Sequence, residues 1–336
     1  MTEPRRTRII PEVDFDANGK QHGFLRLFHS THASAYGFIP IPIVVIRNGS
    51  GPTALFMSGN HGDEYEGQVA ICNLAKQLSP DRISGRVILL PAANFPATMA
   101  GRRVSPVDDL NLNRVFPGDP DGTVTQQIAW YIENELIPRA DLLCDLHSGG
   151  SSLMYLPSAL IGRSRDPERR ERQMAALGAF GAPTAYMTES GPGGAATASG
   201  GADRHGVVAV GTELGGSGTV TPPALRIAER GLRNLLVHLE ILPKTERLEP
   251  ERPTRYFEVG GQDYYSYTPE PGVFEPTAEL GESVHGGQMA GRIHFPETPW
   301  APPAEVRFQR DGVVLCKRIP GRTTRGDCLF HLGTPV

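Results

Sequence analysis

The residues of this chain best suited to chemistry are a histidine and a glutamate three positions apart. They are His61 and Glu64, in Ser58-Gly59-Asn60-His61-Gly62-Asp63-Glu64. Zinc takes imidazole nitrogens and carboxylate oxygens as ligands, and a catalytic zinc keeps one position open beside three protein donors. His-x-x-Glu offers two of those donors, so a third must come from elsewhere. His147 is the best candidate, in Leu142-Leu143-Cys144-Asp145-Leu146-His147-Ser148-Gly149-Gly150, because it too follows an apolar run and stands at a turn. Glu213 closes a third such run, Val207-Val208-Ala209-Val210-Gly211-Thr212-Glu213. Any one of these residues alone is equally well explained by core packing or solvation. Together, at equivalent ends of apolar runs, they fit a site at the carboxyl edge of a parallel sheet, where ligands bind. Asp145 precedes His147 by two residues, so on a strand both side chains share a face. It is placed either to accept a hydrogen bond from a ligand imidazole or to be satisfied by backbone groups.

A second set of residues lies between positions 92 and 122, a stretch rich in Pro, Gly, Asn and Asp. It contains Arg102, Arg103 and the run Asn111-Leu112-Asn113-Arg114-Val115-Phe116-Pro117-Gly118. A long irregular stretch inside a compact domain is usually functional. An Asn–Arg pair can hold a carboxylate, because a guanidinium contributes two parallel donors and the amide a third. A second arginine nearby can stabilise an oxyanion developing on a carbonyl. Solvated arginines in surface ion pairs are the plainer alternative.

The elements that must position these residues alternate. Thr53–Ser58 reads as a strand, Glu64–Leu78 as a helix with Val69, Ala70, Leu74 and Leu78 on one face, and Arg86–Pro91 as a strand buried on both sides. A helix over 124–137, a strand over 141–147, a helix over 164–180 and a short strand Thr184–Thr188 follow. Next come a glycine-rich segment 191–206, read as a mobile loop, and the strand ending at Glu213. Thr221-Pro222-Pro223 then opens a last helix, with the threonine as its cap. The pattern predicts an α/β fold with a mostly parallel, mixed sheet flanked by helices over residues 1–248. Past Leu248-Glu249-Pro250 only short β runs and turns recur, so residues 249–336 read as a smaller all-β domain. Its Gly281–Gln288 turn has the look of a lipoyl- or biotinyl-carrier sandwich. A carrier needs a lysine on an exposed hairpin, and Lys317 is the only lysine after Lys244, so a domain that shapes or covers the site is the better reading.

The 336 residues carry a net charge of -4, which gives no basic field for nucleic acid. No apolar run is long enough for a membrane span, and Met1-Thr2-Glu3-Pro4-Arg5-Arg6 has no apolar segment behind it to make a secretory signal. A cytoplasmic protein is expected. Cys72 and Cys144 read as small core residues, while Cys316 and Cys328 read as free thiols. The segment 191–206 lacks the Gly-Lys-Ser/Thr ending of a phosphate loop.

His61-Gly-Asp-Glu64, the Arg103-x-Ser-Pro stretch, Asn111-Leu-Asn-Arg114-Val-Phe-Pro-Gly, Asp145-Leu-His147-Ser-Gly-Gly and Thr212-Glu213-Leu-Gly-Gly occur in that order. Together they resemble the succinylglutamate desuccinylase/aspartoacylase family, zinc hydrolases related to the zinc carboxypeptidases. More closely, Asn60–Gly67, Gly122–Gln126, Thr212–Thr219 and Gly326–Leu329 are similar to the N-acetyl-2,4-diaminobutyrate deacetylases of ectoine breakdown. The resemblance implies an amidohydrolase with one zinc per chain, held by His61, Glu64 and His147. It further implies Glu213 as general base, Arg103 as carbonyl polariser, and Asn113 with Arg114 as carboxylate clamp. Glu189 is the next candidate for the base. The implied partner is a small N-acyl amino acid, with no nucleic acid or membrane, and self-association into a homo-oligomer is left open. An acidic N-acyl amino acid, a carboxypeptidase substrate, or a metal-free binding role on the same scaffold are the other readings. In aspartoacylases an arginine ten residues before the base binds the substrate's side-chain carboxylate. Here that offset is Asp203, expected to face a side-chain ammonium instead.

Overall fold

The computed structural model describes residues 6–188 and 194–336. Three antiparallel strands come first: β1 (Ile9–Pro11), β2 (Gly19–Phe28) and β3 (Phe38–Asn48). Then come β4 (Thr53–Ser58), α1 (Glu66–Gln77), β5 (Gly85–Leu90), α2 (Phe95–Ala100), α3 (Val124–Tyr131) and β6 (Leu142–Leu146). They are followed by β7 (Leu153–Tyr155), β8 (Ser158–Gly162), α4 (Pro167–Phe180), β9 (Thr184–Thr188) and α5 (Ala198–Arg204). Next are β10 (Val208–Glu213), α6 (Pro222–His238) and β11 (Arg255–Val259).

Ten of these strands lie in one sheet in the order β1-β2-β3-β5-β4-β6-β10-β8-β9-β11, while β7 pairs with the later strand Gly312–Arg318. The pairs β4–β5, β4–β6, β6–β10, β8–β9 and β9–β11 are parallel, and β10–β8 is antiparallel. Every residue of β4 and β6 is buried, as expected for strands covered on both faces. One core cluster joins Ile71 and Leu74 of α1, Leu177 and Phe180 of α4, and Leu232 and Leu235 of α6. The cluster on the other face holds Ile128 of α3 together with Ala198 and Ala202 of α5. The sheet is thus sandwiched between helices.

Past residue 249 the chain serves both this sheet and a second one. β11 pairs in parallel with β9, and the strands Cys328–Pro335 and Gly312–Arg318 extend the sheet from β11. The strands Ala304–Arg307, Met289–His294, Gly272–Pro276 and Arg322–Thr323 form a separate antiparallel sheet around Phe274, Ile293 and Phe308. Lys317 lies inside strand Gly312–Arg318 and pairs with Glu279 at 2.5 Å, so it is not presented on a hairpin as a carrier lysine must be.

Several details differ from the sequence reading. The helix expected over 124–137 is α-helical only to Tyr131; Ile132–Leu136 is a π turn and Ile137–Arg139 a 3-10 turn. Within the glycine-rich segment, Gly194–Ala196 is a 3-10 turn and Ala198–Arg204 is helix, not mobile loop; residues 191–193 lie outside the described residues. Thr221 occupies the cap position of α6 in an extended conformation but makes no side-chain capping bond among the described residues. Cys72 is exposed rather than packed in the core, because Ala70, Ile71 and Leu74 carry the buried face of α1. No helix among the described residues is long and apolar enough to cross a membrane.

Candidate active site

Three adjacent parallel strands converge at one edge of the sheet. Asp145 of β6 is in register with Met57 of β4 on one side and with Gly211 of β10 on the other. The loop after β4, the residues after β6 and the end of β10 therefore open side by side. Leu214 N–H extends the β6–β10 ladder by donating to the His147 carbonyl at 2.9 Å, and the Thr212 hydroxyl bonds both the N–H and the carbonyl of His147. Glu213 and His147 are thus locked as neighbours.

The turn out of β4 depends on two glycines. Gly59 has φ +66 and lies against the backbone of Ala92, where a Cβ would come within 2.9 Å of its Cα. At Gly62 a Cβ would stand 2.0 Å from the Ala97 carbonyl oxygen, so any other residue would force the loop off α2. This close packing sets His61 and Glu64 at the mouth of the three strands.

There Glu64 bridges the two histidines. His61 Nδ1 lies 2.7 Å from Glu64 Oε1, and His147 Nδ1 lies 2.8 Å from Glu64 Oε2. The ligand atoms of His61, Glu64 and His147 all fall within 4.8 Å of one another. The far nitrogens face acceptors: His61 Nε2 is 3.1 Å from Asn111 Oδ1, and His147 Nε2 is 2.9 Å from Asp145 Oδ2. With a metal bound, these acceptors would hold the protons on Nε2 and leave both Nδ1 lone pairs free to ligate it. Asn60 steadies Asp145 through a 3.1 Å bond. This donor set, two imidazole nitrogens and one carboxylate with outer partners in place, fits a divalent metal ion. Asp145 is where parity along its strand placed it; the role of Asn111 escaped the sequence reading, although its Asn-x-Asn spacing in the loop was the available signal.

Electrostatics follow from burial. Burial alone would raise the Glu64 pKa, but the imidazoles of His61 and His147 drive it well below the usual carboxylate range. Burial works against a charged His147 too, yet Asp145 and Glu64 raise its pKa well above the ordinary value. His61 is pulled down, chiefly by burial. Glu213 behaves oppositely to Glu64: burial and the nearby Glu64 charge raise its pKa well above 4.5. Its Oε2 is buried without a hydrogen-bond partner among the described residues. Two carboxylates in one site, one held ionised and one biased toward holding a proton, have the division expected of a ligand and an acid–base group.

The loop arginines separate cleanly. Arg103 Nη1 approaches Glu64 Oε1 at 3.4 Å and His61 Nδ1 at 3.3 Å, whereas Arg102 turns outward to Asp109 at 3.7 Å. Arg114 is exposed, makes no ion pair among the described residues, and is held by its Nη1 donating to the Asn113 carbonyl at 2.7 Å. Asn113 sits deeper: its Oδ1 accepts from Ala198 N–H at 2.9 Å and its Nδ2 lies 3.2 Å from His147 Nε2.

Asp203 is not brought to this cluster. It lies near the C-terminal end of α5, 63% exposed, with Oδ1 3.0 Å from Arg169. Only the opposite end of α5, at Ala198, reaches the site loop. Counting back from Glu213 without gaps runs down β10 and through a turn into the end of α5, and so lands on a residue turned to Arg169. Glu189, the alternative base, lies outside the described residues.

A family model described as the succinylglutamate desuccinylase/aspartoacylase catalytic domain matches residues 50–239. The chain is 42% identical to the N-alpha-acetyl-L-2,4-diaminobutyric acid deacetylase of Halomonas elongata, over 99% of this chain and 97% of that protein. The product-bound structure of the ectoine utilization protein EutE (DoeB) from Ruegeria pomeroyi superposes with a TM-score of 0.94 at 39% identity. That match covers 98% of this chain and 100% of the other. A succinylglutamate desuccinylase/aspartoacylase structure from Rhodobacter sphaeroides gives a TM-score of 0.92 at 41% identity, covering 98% of this chain and 99% of the other.

Proposed function

The chain belongs to the succinylglutamate desuccinylase/aspartoacylase family of amide-hydrolysing enzymes, and from that premise we propose that it is a zinc-dependent deacetylase of N-acetyl-2,4-diaminobutyrate in ectoine degradation. The observation that carries the chemistry is the paired Nδ1 atoms of His61 and His147 on either side of Glu64, with Glu213 nearby, its Oε2 buried without a partner among the described residues. The substrate is supported by the near full-length likeness to the Halomonas elongata deacetylase. On this reading residues 1–248 are the catalytic domain and 249–336 a β-rich domain beside it.

In this reading His61, Glu64 and His147 would hold one zinc ion, and Asp145 fixes the His147 ring. Bound there, zinc would supply Lewis acidity and would lower the pKa of water to about 7. Glu213 accepts the proton of the water that adds to the amide carbon, then delivers it to the departing amine as the C–N bond breaks. The raised pKa of Glu213 suits the second half of that exchange. The Arg103 guanidinium, already turned toward Glu64 and His61, donates to the oxygen that becomes negative in the tetrahedral intermediate. Arg114, free of any acidic partner among the described residues, receives the substrate's α-carboxylate, with the Asn113 amide beside it.

The wild-type protein is expected to release free amine from N-acetyl-2,4-diaminobutyrate, and Arg114→Ala to raise KM with kcat less affected. Because the lost contact is to a carboxylate, the penalty should shrink for the substrate's carboxamide analogue. An equal penalty on acid and carboxamide would remove Arg114 from this role. Absence of turnover by the wild type would overturn the substrate assignment.

A further inference from the structure

The π turn Ile132–Leu136 and the short helix α5 lie outside the chemistry described above, yet they are joined by a strong polar contact. Glu133 is buried, with its side chain 4% exposed, and Arg204 grips it with two donors: Nε to Oε1 at 2.7 Å and Nη2 to Oε2 at 2.6 Å. The same guanidinium reaches the Ala195 carbonyl at 2.6 Å. A buried carboxylate loses much when its partner is removed, so this pair sets where α5 sits. Gly201 allows the approach, since a Cβ there would come within 2.9 Å of Glu133 Oε2. From α4, Arg169 holds the same C-terminal end of the helix through the carbonyls of Ala202, Asp203 and Val207 and the Asp203 carboxylate. Asp203 thereby has a structural task.

What α5 delivers is at its N-terminal end. The Thr197 hydroxyl caps it by accepting from Gly200 N–H at 3.0 Å, and Ala198 N–H donates to Asn113 Oδ1 at 2.9 Å. Asn113 N–H donates to Asn111 Oδ1, the same atom that faces His61 Nε2. The Asn113 carbonyl accepts from Arg114 Nη1 at 2.7 Å. A continuous set of contacts therefore runs from Glu133 through Arg204, α5 and Ala198 to Asn113, and from Asn113 to the Arg114 guanidinium.

We infer that Glu133 and Arg204 are positioning residues for the substrate-binding loop: their ion pair fixes α5, and α5 fixes Asn113 and with it the guanidinium of Arg114. The inference rests on Arg114 as the carboxylate-binding group. The π turn has a purpose in this account. Besides ending the regular helix, it carries the buried carboxylate that receives Arg204; turns of this kind are frequent near functional sites.

The experiment compares wild type with Arg204→Met, which keeps length and packing but removes both donors, and with Arg204→Lys. Zinc content and cooperative thermal unfolding should persist in Arg204→Met. KM for N-acetyl-2,4-diaminobutyrate should rise about tenfold or more, since a small misplacement of a binding group costs up to ~100-fold. The rise should shrink for the carboxamide analogue, and Arg204→Lys should restore part of it. Amide hydrogen exchange over 111–118 should quicken in Arg204→Met while β4 and β6 stay protected. Unchanged exchange over 111–118, or equal losses on acid and carboxamide, overturns the inference. If Arg204→Met does not fold, Glu133→Gln is scored by the same measurements. The exchange readout needs no turnover, so it decides this inference even if the substrate assignment fails.

Discussion

His61→Ala and His147→Ala are each expected to lose bound zinc and nearly all amide hydrolysis while keeping the fold. The geometry gives the reason. Glu64 divides its two oxygens between the Nδ1 atoms of these rings, at 2.7 and 2.8 Å, so removing either ring leaves a donor pair in place of a triad. The cost to the fold should be modest, because each ring lies at a strand mouth and not in the apolar core. Metal analysis of each purified variant, alongside its thermal unfolding, checks this. Retention of stoichiometric zinc together with wild-type turnover by either variant would show that the ligand set is wrong.

Glu213→Gln separates proton transfer from metal binding. Glu213 is not among the grouped ligands, so this variant should hold zinc as the wild type does. Its rate should fall about 10²–10⁴-fold, the usual contribution of a positioned general acid–base group. Its pH profile carries a second signature. The Glu213 pKa is raised, by burial first and by the Glu64 charge second, and only the deprotonated form can take the proton of the attacking water. Wild-type activity should therefore fall as pH drops through a value above the ordinary carboxylate range, and that acid limb should be absent from the residual activity of Glu213→Gln. Near-normal turnover in the variant would move the base elsewhere.

How far the site could be read from the sequence depended on whether a residue's place followed from a repeating rule. Strands impose two such rules, burial of continuous apolar runs and alternation of side chains. They placed His147 and Glu213 at strand ends and put Asp145 on the face of His147, and the resemblance assigned those residues their roles. Asn111 obeyed no rule of that kind, because a loop residue bonds wherever the loop folds. The helix α5 was hidden for a related reason. Gly200 and Gly201 lower helix propensity by roughly 1 kcal/mol each relative to alanine, and the helix forms because its own Arg204 is anchored on Glu133, Thr197 caps it and Arg169 of α4 holds its end. Gly201 even favours it, by letting the helix come close to Glu133. The offset that selected Asp203 assumed a constant separation along the chain, and the turn between α5 and β10 breaks that assumption. Arg102 and Arg103, adjacent in sequence, were told apart only by the backbone of the loop, which sends one side chain to Asp109 and the other to Glu64.

The most direct test is amine release from N-acetyl-2,4-diaminobutyrate by the purified protein, measured before chelation, after it, and after return of one equivalent of zinc, with N-acetylaspartate and N-succinylglutamate in parallel. The account predicts turnover of the diaminobutyrate derivative well above that of the two acidic compounds, its loss on chelation and its recovery with one zinc per chain. Turnover that survives complete removal of metal, or a preference for either acidic compound, would contradict it.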